Sequence, residues 1–330
     1  MKKRLTFFFI TILFMTLSSC SNDTTLVIEG RTMGTWYRVK VDGTKSEHDL
    51  ERIQMAVNTA LTRVNGSLNT YNPESEISSF NDYDEPGAFP LSEAFMEVSR
   101  TAQLIYEYSH GAFDPTVKEL VGMWGFGDEG VKKRPGDDQI KEALAHVGFN
   151  KLRLIENGII KKDPKVHLDY SGIAKGYGVD VVMDELLLSG YEDILVDIGG
   201  EVKVRGKKRH IGIAVPEENN TGKQRSAKLI VLKDIACATS GDYQQFYVEN
   251  GERYTHLIDP KTGFPIKHDV TSVTVIAESC MLADAAATAA IVLGKTEGLD
   301  FIESLEGVEA FFIYRDGDLL NSAKSSGWTW

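Results

Sequence analysis

DYSGIAKGYGVDVVMDELLLSG, Asp169–Gly190, is the stretch from which this 330-residue chain is read. A turn holding Gly172, Gly176 and Gly178 runs straight into a helical pattern. Ile173, Tyr177, Val181, Met183 and Leu187 recur at helical spacing, and Gly190 follows as a stop signal. Small residues at a helix start let a ligand reach bare backbone N–H groups, and Asp169 and Lys175 flank the turn with opposite charges. Two readings stand open: a site for a phosphorylated ligand, or glycines that only permit tight packing.

On the N-terminal side, Leu26–Val41 holds two strand-like runs around Gly30 and Gly34, and Asp49–Val64 carries one apolar helical stripe. Tyr71–Phe80 is turn-rich and then helical. Ser92 caps a helix running to Ser109, and a tight AFDP loop follows at Ala112–Pro115. Trp124–Pro135 reads as an exposed glycine-rich loop. Asp137–Val147 reads as a helix and Lys151–Ile160 as a hairpin on Asn157-Gly158. On the C-terminal side, Asp193–Val204 is two strands joined by Gly199-Gly200. Strands are predicted at His210–Val215, Ala227–Leu232, Ile235–Thr239 and Ser272–Ala277. A short strand and turn occupy Tyr254–Pro265, an alanine-rich helix Ala283–Leu293, and a hairpin on Asp316-Gly317 closes the chain. Helices and hairpins mix without regular βαβ alternation, which predicts an α+β fold with mainly antiparallel sheets and flanking helices.

Composition is that of a globular protein, 42% hydrophobic and 25% charged, with a formal net charge of −12. That charge argues against a nucleic-acid partner. It also repels anionic ligands at long range, so a phosphate site needs a local cation, a helix N-terminus or a metal. Lys2, Lys3 and Arg4 precede an apolar run, Leu5–Leu17, too short for a comfortable membrane span, and LSSC follows at Leu17–Cys20. This resembles a bacterial lipoprotein cleavage box. We expect a signal peptide over 1–19, lipidation of Cys20, a tether to Thr25 and one domain over 26–330. Export and attachment to a bacterial membrane, facing the periplasm or cell exterior, follow as expectations. Cys237 and Cys280 lie in no metal-ligand spacing and read as two buried thiols.

Three further segments carry candidate chemistry. Asp284 and Thr288 are spaced i,i+4 on the alanine-rich helix, so a carboxylate and a hydroxyl stack on one face. Together with a backbone carbonyl of the Gly172 turn they offer hard oxygens suited to Mg²⁺. Alternatively Asp284 caps the helix and Thr288 bonds back to its own backbone. In HLIDPKTGFP (His256–Pro265), a histidine at a strand end precedes a rigid Asp259-Pro260 turn, and two readings stand: a base near neutral pH reaching into a cleft, or a purely structural histidine. ATSGDY (Ala238–Tyr243) offers hydroxyls at a strand-to-turn junction. Asp197 and Glu201 flank Gly199-Gly200 and are assigned no role.

TMGTWY (Thr32–Tyr37), YNPESEISSFN (Tyr71–Asn81), GAFDPT (Gly111–Thr116), DYSGIAKGYGVD, DIGGE (Asp197–Glu201), ATSGDY, HLIDPKTGFP and MLADAAATAA (Met281–Ala290) occur in this order. Together they resemble the ApbE proteins, FAD:protein FMN transferases. The resemblance implies a central cleft holding FAD as substrate. By the same resemblance Met33, Tyr71, Ala112, Phe113, Asp114, Asp169, Lys175 and Ile258 are expected to contact the FAD. The resemblance also implies that the Gly172 carbonyl, Asp284 and Thr288 hold Mg²⁺ and that His256 assists catalysis. It further implies that a Thr or Ser hydroxyl of a partner protein attacks the FMN-side phosphorus and AMP departs. Acceptor flavoprotein subunits of membrane redox complexes are the implied partners. A Mg²⁺-dependent FAD pyrophosphatase and a non-enzymatic FAD-binding lipoprotein are the competing expectations.

Overall fold

The computed structural model describes residues 24–44, 47–85, 87–127, 132–214 and 226–330. The leader, Cys20 and residues 21–23 lie outside them, so the lipidation expectation falls on undescribed residues. The chain enters as a hairpin of β1 (Thr24–Thr32) and β2 (Thr35–Thr44), turning at Met33 and Gly34, both in left-handed backbone. Thr24 and Thr25 already belong to this strand, so the tether read through Thr25 ends at least two residues earlier. Helices α1 (Glu47–Leu68) and α2 (Glu76–Asn81), strand β3 (Ala88–Pro90) and helix α3 (Glu93–Tyr108) follow. Ser75 and Ser92 cap α2 and α3 by accepting from Ser78 N and Phe95 N. Next come α4 (Lys118–Met123), α5 (Asp137–Leu144), the hairpin β4 (Leu152–Ile155) and β5 (Gly158–Lys161), and helix α6 (Ala174–Leu188).

The second half is mostly strand: β6 (Ile194–Ile198), β7 (Glu201–Arg205), β8 (Arg209–Ala214), β9 (Ser226–Leu232), β10 (Ile235–Gly241), β11 (Phe246–Glu249), β12 (Glu252–Thr255) and β13 (Val270–Ala277). Helix α7 (Cys280–Glu303) and the hairpin β14 (Glu309–Asp316) and β15 (Leu319–Lys324) complete it. One eight-stranded sheet, ordered β1-β2-β6-β7-β10-β13-β14-β15, is antiparallel at every step. The α+β class is therefore as read.

The centre of this sheet is covered on both faces, and the period-2 alternation of strand side chains explains how. Ile194, Val196 and Ile198 of β6 join the core beneath α6 and α7, whereas Leu195 faces a second cluster under the β8–β9 hairpin. All of β13 is buried in consequence. Most of α6 and of the first half of α7 is buried, so neither shows the single apolar stripe of a surface helix.

Three sequence expectations need correction. Trp124 does not sit in an exposed loop: it is fully buried against Tyr254 and Phe264, and its Nε1 donates to the Gly263 carbonyl at 2.8 Å. The alanine-rich helix starts at Cys280 and continues to Glu303. It breaks at Gly294, in left-handed φ, one residue past the predicted end at Leu293. Strands β3 and β11 were not read, being three and four residues long.

Candidate active site

The crossing of α6 and α7 sets the site. A Cβ on Gly176 would lie 2.3 Å from the Cys280 carbonyl oxygen and 2.8 Å from the Asp284 Cβ, so only glycine allows this approach. One on Gly178 would meet the Met33 Cε at 2.7 Å. These two glycines therefore serve packing, and the Gly176 amide is not bare. It donates to Asp284 Oδ2 at 2.9 Å. A second clasp reinforces the crossing: Asp180 accepts from Cys280 N, Met281 N and Ser279 Oγ at the start of α7.

Asp284 lies a full turn inside α7, which is capped by Ser279, so the capping alternative for Asp284 fails. Thr288 does not merely bond back to its own helix. Its hydroxyl lies 3.4 Å from the Gly172 carbonyl and 3.2 Å from Ser240 Oγ. Thr288 thus meets the Gly172 carbonyl from more than a hundred residues away, and Asp284 lines the same cavity. Asp284 is 3% exposed, and burial raises its carboxyl pKa against the pull of Lys175. Among the described residues no three His, Cys, Asp or Glu side chains cluster as a metal site. The donor set is one carboxylate, one hydroxyl and one carbonyl. Such a set suits a hard cation that takes its remaining ligands from water and phosphate, not zinc. By this chemistry the residues fit Mg²⁺.

Lys175 is committed within the protein. Its Nζ is 2.8 Å from Glu201 Oε1 and 3.7 Å from Asp284 Oδ1. Burial works against its charge, but Asp284 and Glu201 outweigh that and hold its pKa above the usual lysine range. The sequence reading left Glu201 without a role. It starts β7 directly after Gly199 and Gly200, whose φ of +66° and +111° make the tight turn.

A cavity of about 880 Å³ collects the predicted residues. Its wall includes Met33, Tyr71, Ala112, Phe113, Asp114 and Asp169. It also includes Gly172, Lys175, His256, Ile258, Asp284 and Thr288. Phe113 and Ile258 are buried, while Tyr71 is 61% exposed. This volume and mixed lining suit an elongated small ligand. A second depression draws its walls from α1 alone and gathers none of these groups. Two of the carboxylates have structural duties. Asp114 accepts from Thr116 N, Thr116 Oγ1 and Phe149 N, and burial pushes its pKa up to about 6. Asp169 accepts from the amide and hydroxyl of Ser171.

His256 follows β12, and its Nδ1 lies 3.1 Å from the Gln245 carbonyl. A carbonyl can only accept, so Nδ1 carries the proton and Nε2 keeps its lone pair. Burial, opposed by that hydrogen bond and assisted by Lys175, lowers its pKa, so the ring is neutral at pH 7. The turn after it is rigid: Asp259 accepts from Lys261 N and Thr262 Oγ1, and Trp124 pins Gly263. Cys237 and Cys280 are buried free thiols, as expected.

The ApbE family model matches residues 33–312. FAD:protein FMN transferase of Haemophilus influenzae is 34% identical, over 99% of this chain and 97% of that protein. Its Vibrio cholerae counterpart is 36% identical, over 91% of this chain and 90% of that protein. Among solved structures, flavin transferase ApbE from Vibrio cholerae superposes with a TM-score of 0.84 at 35% identity, covering 92% of this chain and 98% of that one. The apo form of Pseudomonas stutzeri flavinyl transferase ApbE gives 0.82 at 32%, over 92% and 95%. The eight-stranded antiparallel sheet, the α6–α7 crossing beside it and these matches together place the chain in the ApbE family.

Proposed function

We propose that this chain transfers FMN from FAD to a Thr or Ser hydroxyl of a partner protein, with Mg²⁺ held by Gly172 O, Asp284 and Thr288. The gathering of Gly172, Asp284, Thr288 and His256 around one cavity, with Thr288 against the Gly172 carbonyl, carries the reading. Bound there, the ion supplies Lewis-acid neutralisation of diphosphate charge, which an acidic protein otherwise lacks. His256 Nε2 takes the hydroxyl proton as the acceptor oxygen attacks the FMN-side phosphorus. The bond from that phosphorus to the bridging oxygen breaks, and AMP leaves with it. Phe113, Met33 and Ile258 hold flat ring surface away from water, with Tyr71 at the rim. Such chemistry rests on positioning and charge stabilisation, without a covalent enzyme intermediate.

The acceptor is read as a flavoprotein subunit of a membrane redox complex. The leader over 1–19 is read as a signal peptide, and a lipid on Cys20 as the anchor that holds the enzyme on the exported side of a bacterial membrane. Among the described residues no helix is long and apolar enough to cross a membrane. The test is incubation of the chain with FAD, Mg²⁺ and candidate acceptors, read by intact mass. An FMN-phosphoryl adduct on the acceptor, lost in Asp284→Ala, is expected. FMN and AMP without any adduct shows a pyrophosphatase, and unaltered turnover by Asp284→Ala refutes the metal assignment.

A further inference from the structure

Lys175 stands between two carboxylates, and one of them is read as a metal ligand. An ammonium and a divalent cation compete for the same carboxylate oxygen, so the resting position of Lys175 governs what Asp284 can bind. Its Nζ sits nearer Glu201, at 2.8 Å, than Asp284, at 3.7 Å. Glu201 is 2% exposed and does not line the cavity. Its second oxygen, Oε2, is buried with no hydrogen-bond partner, so its contact with the ammonium does not serve a wider polar network. The Gly199–Gly200 turn and the Ile198–Glu201 pairing of β6 with β7 fix its backbone. Two carboxylates and one ammonium leave one net negative charge when all are ionised. Without Glu201, Lys175 and Asp284 form a neutral pair.

We infer that Glu201 is a positioning residue for the metal site: it draws the Lys175 ammonium off Asp284 and so leaves that carboxylate to a divalent cation. This rests on the metal reading above and deepens it. Glu201 touches neither substrate nor metal, and its whole effect passes through Lys175.

The test is titration of the full chain with Mn²⁺ alone, following loss of the free-ion signal by electron paramagnetic resonance. Glu201→Gln is isosteric, and its fold is checked by thermal melting. Its Mn²⁺ dissociation constant is expected to rise about 10- to 100-fold over wild type, the usual effect of losing a group that orients a ligand. In a Lys175→Met background the same substitution is expected to change binding by less than about threefold. Lys175→Met alone, the check should Glu201→Gln fold poorly, is expected to bind Mn²⁺ at least as tightly as wild type. Wild-type affinity in Glu201→Gln overturns the proposal. So does a loss that persists undiminished in the Lys175→Met background, because Glu201 then acts by its own charge. A tenfold loss in Lys175→Met alone overturns it as well. A wild-type chain that takes up no Mn²⁺ removes the metal reading and this proposal together, whereas the other outcomes leave the metal reading standing.

Discussion

Gly176→Ala tests the crossing on which the site depends. The added methyl would sit 2.3 Å from the Cys280 carbonyl oxygen, roughly 1 Å inside an ordinary carbon–oxygen contact of about 3.3 Å. Both obstacles, that carbonyl and the Asp284 Cβ at 2.8 Å, belong to α7, so the helices must separate. Overpacking of this kind costs about 1–3 kcal/mol. Stretching the Gly176 N–Asp284 hydrogen bond adds to it, since bonds to charged groups contribute about 1.5–3 kcal/mol. Alanine returns about 1 kcal/mol through its better helix propensity. The net expectation is a loss of about 2–4 kcal/mol, which leaves a fold of ordinary stability mostly intact at assay temperature. Transfer should suffer more. A shift of about 1 Å in a catalytic group costs on the order of 10²-fold in rate, and Asp284 rides on the displaced helix. Melting curves and FMN-transfer rates on one preparation measure both. A variant with wild-type melting temperature and rate refutes the idea that this glycine sets the distance between α6 and α7.

His256→Gln keeps a donor for the Gln245 carbonyl but removes the base. FAD affinity should hold while kcat falls about 10²- to 10⁴-fold. Because burial lowers the His256 pKa, the wild-type rate should be flat around pH 7 and decline only below the usual histidine range. Persistence of that acid limb in His256→Gln excludes His256 as its source. Asp114 has a folded-state pKa near 6 against 3.8 in its reference state, so the folded chain takes this proton first. Its contribution to stability therefore rises as pH falls through about 6 and levels off below 3.8, reaching at most about 3 kcal/mol. Relative to Asp114→Asn, wild type should gain several degrees of melting temperature between pH 7 and pH 4.5. A difference that ignores pH contradicts this.

Local pattern carried most of the fold. Apolar period and turn chemistry placed α1, α3, α6 and the β6–β7 and β14–β15 hairpins, because each satisfies its own backbone within a few residues. The i,i+4 spacing of Asp284 and Thr288 put both on one face of α7, and in the structure both line the cavity, with Thr288 facing the Gly172 carbonyl. Packing across distance was not legible. Nothing local says that Gly176 meets Cys280, or that Trp124 plugs the Gly263 turn. Glu201 was missed for the same reason, yet a signal existed. Val202 and Val204 fill one face of β7, which sends Glu201 and Lys203 to the other, toward α6. There they meet Lys175 and Asp180, charges of opposite sign taken in the same order. A strand whose polar side should face a buried helix, and whose charges mirror that helix, marks a paired interface.

The Gly176–Asp284 clasp joins residues 108 positions apart and comes from the last helix of the chain. A nascent polypeptide can build the β1–β2 hairpin, α1, α3 and the glycine turn long before Asp284 emerges from the ribosome. Until α7 docks, the growing product carries Met33, Phe113 and the Gly172 carbonyl of the cavity but neither of the side-chain oxygens, Asp284 and Thr288, read as holding the metal. On the metal reading, products truncated before α7 are expected to be catalytically silent.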